Sequence, residues 1–339
     1  MPESLSMRWR TRITDLTKSR KDPLRDKASS EEEQMIERRI LADAVLSTIV
    51  RASCCVPPDV RSAIEMARER ETQPISKRAF AHTLQSLDRC YERGNPACGD
   101  TGWPLFYCKI GNDAQIEGGI LGLEEVSKQA VIKATSEGLL RKTMKHPLTG
   151  ADPGTNIGMN MPSFTYRFAP GDSVQVTFVP KGGGGELFGG SRYAVIAFGD
   201  GVVGIEKFIV DSYVSGVRAG AICPPAIVGV GIGGTFDVSA KLAKEAAVLR
   251  VIGSRHPEPQ IARIEKDLFD ALGELKVGAM GSGGDISVLG VNVEYAHTHI
   301  AGITVAMNAN CIIARRATSR IHADGQVEEL DDPCWFDGR

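Results

Sequence analysis

The segment CPPAIVGVGIGGTFDVSAKLAKEA, from Cys223 to Ala246, decides the fold class. Its apolar run AIVGV predicts a buried strand, and the spacing of apolar residues from Val238 to Leu249 predicts a helix shortly after it. A glycine-rich turn joins the two. A strand that leads through glycines into a helix is typical of proteins in which helices cover the faces of a sheet.

Outward from this segment, the chain divides into a helical first third and a mixed body. A helix is predicted to start at Ser30, with Ile36 to Thr48 along its apolar face, a second after Pro57 and Pro58, and a third from about Ile75 to Arg93 that stops at Gly94. The body alternates predicted strands (LFYCKIG, SVQVTFVP, AIVGV and ISVLGVNVEYA) with predicted helices (Glu124 to Leu140, Val203 to Val217, Val238 to Leu249 and Pro259 to Leu272). We therefore expect a mixed α/β fold with an N-terminal helical segment and an interleaved strand and helix body.

The ends of the chain are polar and charged. We expect residues 1–29 to form a mobile charged arm, with order beginning where Ser30 and Glu33 match a helix capping box. Residues 30–324 are expected to form one domain, and residues 325–339 an acidic C-terminal tail at a surface or interface.

Composition excludes several classes of protein. The chain has 339 residues, 42% of them hydrophobic, and a formal net charge of -2, which argues against a nucleic-acid binder. Charged residues interrupt every apolar stretch before the ~20 residues of a membrane span, and no secretory signal is recognisable, so we expect a cytoplasmic protein. Eight cysteines are too sparse for a disulfide scaffold and favour metal-binding or catalytic thiols.

Two glycine-rich motifs allow alternative functions. GVGIGG, residues 229–234, has the spacing of a dinucleotide-binding loop, which would make the protein an NAD-dependent oxidoreductase, but no convincing second strand follows it. Close packing of the helix on the strand explains the same glycines. KGGGG, residues 181–185, lacks the ending of a nucleotide phosphate loop; it is either a flexible surface loop or a place where the backbone closely approaches another group.

Three cysteines lie where regular structure stops: Cys98 in NPACGDTG, Cys223 in GAICPPAIVG and Cys311 in NANCIIARR. A single such cysteine is usually a small buried apolar residue, and three so widely spaced do not form a ferredoxin signature. Polar residues in glycine-rich loops accompany them, and these strengthen the hypothesis of a site: Asp100, Thr101, Arg141, His297 and His299.

Taken together, these motifs resemble those of class I fumarases and L-tartrate dehydratases. CGDTG, KGGGG, CPPAIVGVGIGGTFDVSAKLAKEA and LGVNVEYAHTHIAGITVAMNANC match that family in the same order, over roughly residues 31–324. The resemblance implies the fold of the family's N-terminal domain. It also implies a [4Fe-4S] cluster held by three cysteines, here Cys98, Cys223 and Cys311, with a fourth iron that has no protein ligand.

The resemblance further implies roles for residues around that cluster. Asp100 matches the family's proposed acid, with Thr101 beside it, and His299 matches a histidine near the substrate. Arg141 matches an arginine that holds a substrate carboxylate, and Gly185 and Gly99 match positions that approach the substrate. The implied activity is reversible hydration or dehydration of a small dicarboxylic acid. Fumarate and malate come first, with tartrate or a mesaconate-type acid as alternatives.

In this family the base belongs to a second domain, which is a separate β subunit in some members. We therefore expect the chain to be an α subunit that works with a β subunit, as a hetero-oligomer such as a dimer of αβ pairs. Two departures from many fumarases, Gly99 in place of Gln and Glu186 in place of Ser, indicate altered substrate contacts. A noncatalytic subunit that keeps the cluster as a structural staple or redox sensor is the alternative from another class.

Overall fold

The computed structural model describes residues 35–337, which form a mixed α/β fold as predicted. The helices are α1 Arg38–Cys54, α2 Pro58–Arg70, α3 Pro74–Arg93, α4 Gly119–Ser136, α5 Gly201–Arg218, α6 Phe236–Leu249 and α7 Pro259–Gly273. The strands are β1 Trp103–Gly111, β2 Ser163–Ala169, β3 Val174–Lys181, β4 Ser191–Ile196, β5 Ala226–Ile232, β6 Val288–Tyr295, β7 Ile303–Asn310, β8 Ala317–Ile321 and β9 Val327–Leu330.

The strands form two sheets. The first has the order β2-β1-β3-β8-β9 and the second the order β4-β7-β5-β6. Only β1 with β2 and β5 with β6 pair in parallel, and the other neighbours in these sheets are antiparallel. The chain passes from the first sheet to the second between β3 and β4, and returns between β7 and β8.

Helix α6 lies between the two sheets, α1 and α4 cover the outer face of the first sheet, and α5 and α7 cover the outer face of the second. Helices α2 and α3 pack against Ile227 and Leu289 of the second sheet. On the first sheet, Phe106 and Cys108 of β1 pack with α1 and α4, while Tyr107 on the opposite face packs with the end of α6. On the second sheet, Val228 of β5 packs with α5 and α7. The result is a layered helix, sheet, helix, sheet, helix arrangement, which explains why β1, β3, β5 and β6 are buried on both faces.

The GVGIGG motif supplies the close packing of α6 on β5. A Cβ atom at Gly229 would lie 2.1 Å from the carbonyl oxygen of Ala243, and one at Gly231 would lie 2.0 Å from that of Ser239. The helix can approach the strand this closely only where no side chain intervenes. The packing interpretation of this motif is therefore confirmed.

Several predicted boundaries were wrong. The helix predicted to run through Ile36 begins at Arg38, because Ile36 pairs with Ile116 in an isolated bridge. The helix predicted over Glu124 to Leu140 spans Gly119–Ser136 and ends two residues before Gly138, which has φ 78. By contrast, the end of α3 at Gly94, in the left-handed conformation, is confirmed.

Five strands were not predicted, namely β2, β4, β7, β8 and β9. The last of these lies in the segment expected to be an acidic tail. β9 pairs with β8, and Trp335 beyond it is 1% exposed and packs beside Tyr107. The residues after Gly325 therefore contribute to the body of the fold. The expected arm 1–29 and the Ser30 to Glu33 capping box lie outside the described residues.

One stretch, Arg38–Arg70, is long and apolar enough by composition to cross a membrane, where the sequence predicts none. It consists of α1 and α2, which are separated by Cys55, Val56 and Pro57. Of its most apolar window, 61% is buried inside the protein. Core helices of water-soluble proteins have the same composition, so this stretch is weak evidence for a membrane span.

Candidate functional site

The candidate site lies where the chain crosses between the two sheets. The crossing after β3 is the glycine segment 182–185, and the crossing after β7 contains Cys311. The loop before β1 carries Cys98, and the loop before β5 carries Cys223. Because β3 and β7 end at this edge while β1 and β5 begin there, the fold brings together four loops that are distant in sequence.

The glycine segment is wedged between the other loops. A Cβ atom at Gly184 would lie 2.1 Å from the carbonyl oxygen of Ala221, two residues before Cys223, and one at Gly185 would lie 2.2 Å from that of Ala309, two residues before Cys311. The segment forms a single 3-10 turn, Gly183–Gly185. Its glycines are thus required by close approach, and the interpretation of KGGGG as a flexible surface loop is not needed.

Asp100 connects the loop of Cys98 to the glycine segment. Its Oδ2 accepts a hydrogen bond from the backbone N-H of Gly183 at 2.6 Å, and its Oδ1 accepts one from Gly102 at 3.0 Å. Asp100 remains exposed at the surface. The carboxylate is therefore oriented by two backbone donors and still accessible to a small molecule.

Arg141 lies against the same loop. Its backbone N-H donates to Thr101 Oγ1 at 2.8 Å, and its Nη1 donates to the carbonyl oxygen of Gly99 at 2.7 Å. Thr101 is buried, whereas Gly99 and Arg141 are exposed. Five of the predicted site residues consequently meet in one place: Cys98, Gly99, Asp100, Thr101 and Arg141.

A residue that sequence analysis did not assign to the site, Asn156, holds this arginine in place. Asn156 is buried, with φ 59, and its Nδ2 donates to the carbonyl oxygen of Arg141 at 2.7 Å. Its Oδ1 accepts from the N-H of Thr143 at 2.9 Å. Asparagine tolerates the left-handed conformation better than most residues, which suits it to this position.

The three predicted cysteines lie near one another. Burial raises the pKa of Cys223, and the charges of Cys311, Cys98 and Asp100 raise it further. Burial also raises the pKa of Cys311; Arg315 and Lys181 oppose that shift and Cys98 adds to it. The backbone N-H of Ile312 donates to the carbonyl oxygen of Cys223 at 3.1 Å, which ties the two loops directly.

The three thiols lie at the same edge, but they are not arranged as the ligands of a single metal ion would be. Within residues 35–337, no group of three or more His, Cys, Asp or Glu side chains is arranged to hold a metal ion. An iron-sulfur cluster is several ångströms across and needs its thiolates farther apart than one ion does. Three separated thiols that still influence one another's ionisation are compatible with such a cluster.

Two cations that sequence analysis missed flank Cys311. Lys181 is 1% exposed; its Nζ donates to the carbonyl oxygen of Ala309 at 2.7 Å and lies 3.5 Å from Glu186 Oε1. Arg315 is 4% exposed, and its Nη2 donates to the carbonyl oxygen of Asp100 at 2.6 Å. Lys181 opens the KGGGG motif and Arg315 lies in NANCIIARR, but neither motif indicates the role of its cation, since only the fold brings Lys181 beside the cysteine.

Glu186 joins this network from the end of the glycine segment. Burial raises its pKa, but Lys181 and Lys244 lower it more strongly, so that the net pKa lies below the ordinary value. Lys244 of α6 lies 3.0 Å from its Oε2, and Asn308 Nδ2 donates to its Oε1 at 3.0 Å. Glu186, where many fumarases have serine, therefore takes part in an ion network behind Gly185.

The structure does not bring His299 to this site within one chain. His299 precedes β7 and Cys311 follows it, so the eight residues of the strand separate them by about 26 Å at about 3.3 Å per residue. His299 is exposed, and its Nδ1 accepts from the N-H of Ala301 at 3.1 Å. It lies at the other end of the second sheet, beside the GVGIGG turn, where Gly234 N-H bonds to the carbonyl oxygen of His297.

Known proteins with a similar sequence were found by comparison. The chain is 37% identical over 289 residues to a putative L(+)-tartrate dehydratase subunit alpha of Methanocaldococcus jannaschii, which covers 85% of this chain and 99% of that protein. It is 33% identical to the L(+)-tartrate dehydratase subunit alpha of Escherichia coli strain UTI89, over 89% of this chain and 97% of that protein. The family model for fumarate hydratase (Fumerase) matches residues 42–320. With most of its length matched by that model, this chain belongs to the fumarate hydratase family.

Proposed function

We propose that this chain is the α subunit of a hydro-lyase that adds water to, or removes it from, a small dicarboxylic acid at a [4Fe-4S] cluster. The observation that carries the proposal is the convergence of Cys98, Cys223 and Cys311 on one sheet edge beside an exposed carboxylate and an exposed arginine. Membership of the fumarate hydratase family supports the same reaction class.

Cys98, Cys223 and Cys311 would hold the cluster. The fit is supported by the mutual influence of their charges and by the buried guanidinium of Arg315, two of whose nitrogens, Nε and Nη1, have no hydrogen-bond partner. When bound, such a cluster supplies a Lewis-acidic iron that polarises the bond between carbon and the substrate hydroxyl.

The remaining chemistry falls to side chains of this chain and of a partner. Asp100, oriented by Gly183 and Gly102, donates the proton that the departing hydroxyl needs in dehydration and takes it back in hydration. Arg141 binds a substrate carboxylate through its planar set of donors. Thr101 and Gly99 position Arg141, and the backbone at Gly185 lines the approach.

A second polypeptide would complete the site. Gly99, Asp100 and Arg141 are exposed, so this chain covers only one side of a substrate bound among them. Dehydration also needs a base for the carbon-bound proton. The relatives are named as alpha subunits. Their names support a separate β subunit as the source of that base and of the residues that cover the other side of the substrate.

His299 could contact a substrate only from another copy of the chain. Its distance from Cys311 along β7 exceeds the reach of any side chain, yet it is exposed at its own end of the sheet. We therefore place His299 at the site of a neighbouring α subunit, within an assembly such as a dimer of αβ pairs. Such an assembly requires neither a membrane nor nucleic acid, and we expect it in the cytoplasm.

L(+)-tartrate is the first substrate to test, since the relatives reported above carry that name, and fumarate with malate is the second. The chain and its candidate β subunit should be purified without oxygen, reconstituted with iron and sulfide, and assayed with L(+)-tartrate, D(-)-tartrate, malate, fumarate and mesaconate. We expect turnover of one acid only when both polypeptides are present. Substantial turnover by this chain alone would contradict the α-subunit proposal.

The same preparation separates the alternatives. A noncatalytic subunit with a fully ligated cluster should keep its iron in air, whereas a cluster with an open iron should lose iron and activity together. An NAD-dependent oxidoreductase should bind NAD, but the close packing of α6 on Gly229 and Gly231 already accounts for these two glycines of the motif. We expect no NAD binding by calorimetry.

A further inference from the structure

Arg315 lies in the crossing between β7 and β8, four residues after Cys311, and is 4% exposed. Its Nη2 donates to two carbonyl oxygens, that of Asp100 at 2.6 Å and that of Pro180 at 3.3 Å. One nitrogen thus ties the loop of Cys98 to the end of β3. Arg315 is therefore a fixed part of the sheet edge on which the three cysteines converge.

The other two nitrogens of this guanidinium are unused. Nε and Nη1 of Arg315 are buried without a hydrogen-bond partner, and no acidic side chain among residues 35–337 forms an ion pair with it. A buried donor without an acceptor destabilises the folded protein, and more so when it is charged. The buried guanidinium of Arg315 therefore indicates that an anion or another hydrogen-bond acceptor binds to its two free nitrogens.

The neighbouring Arg316 is also buried, but it differs from Arg315 in having a carboxylate partner. It is buried to a similar degree, 6% exposed, and its Nε and Nη2 also have no hydrogen-bond partner, but its Nη2 forms an ion pair with Asp59 Oδ2 at 2.9 Å. The second cation near Cys311, Lys181, is likewise paired with Glu186 and with the Ala309 carbonyl. Of these three buried cations, Arg315 alone has no carboxylate partner among residues 35–337.

The groups that face Arg315 are those of the cysteine loops. Arg315 follows Cys311 by four residues, and its Nη2 holds the backbone two residues after Cys98. When Cys98, Cys223 and Cys311 act as ligands, they do so as thiolates. Three thiolates at a partly buried edge concentrate negative charge where the free N-H groups lie.

We propose that Arg315 is a positioning residue of the cluster site. Its Nη2 fixes the Cys98 to Gly102 loop against β3, and its Nε and Nη1 donate hydrogen bonds to sulfur of the cluster or of Cys311. The inference rests on the proposed function, since it assigns these donors to the cluster. It predicts a role for Arg315 in cluster stability and potential that is separate from the contacts of Arg141 with substrate.

Hydrogen bonds and positive charge near cluster sulfurs favour the more reduced, more negative form and so raise the reduction potential. The test compares Arg315→Gln, Arg315→Lys and the control Arg316→Gln in the full chain, reconstituted without oxygen. The measurements are a redox titration followed by electron paramagnetic resonance, and the rate of iron release to a chelator. Neither depends on turnover.

We expect Arg315→Gln to shift the reduction potential to more negative values and to release iron about 10-fold to 100-fold faster, the usual range when a group supporting a ligand is removed. Arg315→Lys keeps the charge but not the fork of donors, and should fall between Gln and the wild type. Arg316→Gln should match the wild type in both measurements. The circular dichroism spectrum of Arg316→Gln shows whether the loss of a buried arginine by itself disturbs the fold.

Two failures are distinguishable. A wild-type chain that forms no cluster spectrum contradicts the proposed function itself. A wild-type cluster whose potential and iron release are unchanged in Arg315→Gln, or changed equally in Arg316→Gln, overturns only the inference about Arg315. If Arg315→Gln does not fold, Arg315→Lys decides: a negative shift relative to Arg316→Gln supports the inference, and no shift overturns it.

Discussion

The two ends of the second sheet carry the most recognisable motifs of the sequence, and they have different roles. At one end, GVGIGG turns from β5 into α6 beside His297 and His299, with its glycines packed against helix backbone. At the other end, Cys223 and Cys311 meet Cys98 and a crossing of four glycines. The comparison teaches that a dense glycine motif marks a steric requirement, and that a site is identified by polar groups left accessible or unpaired.

The strongest test of this comparison is removal of a ligand at the cysteine end. We expect Cys311→Ser to abolish the visible absorption of the reconstituted cluster. It should lower activity with the β subunit about a thousandfold or more, because a Lewis-acid contribution of several kcal/mol is lost. Cys90→Ser, at a partly exposed cysteine of α3, is the control and should retain both properties.

A second test asks whether the two ends cooperate across copies of the chain. Asp100→Asn should lower kcat about 100-fold to 10,000-fold with the cluster spectrum retained, because a general acid is lost. His299→Asn should also lower activity without changing the spectrum. If His299 serves the neighbouring copy, assemblies refolded from a mixture of the two variants should recover activity above either alone. Mixtures no more active than their components would place His299 outside the reaction.

Substitutions at the GVGIGG end of the second sheet should lower the stability of the fold and leave the reaction chemistry unaffected. A methyl group at Gly231 must displace α6 from β5, and we expect Gly231→Ala to lower the free energy of unfolding by about 1–3 kcal/mol, the usual cost of overpacking. Gly290→Ala on β6 is the control, since its Cβ would meet only Ile252, at 3.6 Å and 3.9 Å. Urea unfolding of the cluster-free chain measures both. Equal stability of the two variants would contradict the packing role.

The smallest expected effect concerns pH at the cysteine end. The pKa of Glu186 in the folded chain lies below its ordinary value, so the unfolded state binds more protons there. Its contribution to stability is present above the unfolded pKa and is lost as pH falls through the folded one. Glu186→Gln should therefore weaken the acid dependence of unfolding below about pH 4.5, near the reference pKa of glutamate.

Glu206→Gln is the matched control for that titration. Burial and Asp267 raise the pKa of Glu206, so its ionisation acts with the opposite sign and stability falls as pH rises through its titration. Unfolding midpoints in urea between about pH 2 and about pH 7 compare the two variants, so that the range covers both titrations. An unchanged acid slope in Glu186→Gln would show that the ion network with Lys181 and Lys244 contributes little to stability.

The sequence predicted the elements with strong periodicity and the residues with a family motif. Helices α3 and α7 were located to within one or two residues, because proline at the start and glycine at or near the end bound a clear apolar face. Strands such as β4 and β9 were missed, because they are short edge strands whose exposed residues give no alternation of apolar and polar positions.

The residues of the candidate site were predictable only in part. The reason differs from that for the missed strands, because it lies in contacts between distant parts of the chain. Asp100 lies in the CGDTG motif and Arg141 matches a position of the family, whereas the roles of Arg315 and Lys181 exist only after two crossings of the chain bring them to Cys311. Nothing local distinguishes Arg315 from Arg316. The position of His299 relative to the cysteines likewise depends on the length of β7, which was not predicted.

The position of Cys311 in the crossing from the second sheet back to the first has a consequence for how the protein matures. The loop of Cys311 is the last of the three cysteine loops to be synthesised, and it takes its place only when the chain has completed the second sheet and turned back towards the first. Loading of the proposed cluster would then follow assembly of both sheets. A cell that makes this protein would first form a nearly finished scaffold with open thiols, which needs protection from oxidation until iron and sulfide arrive.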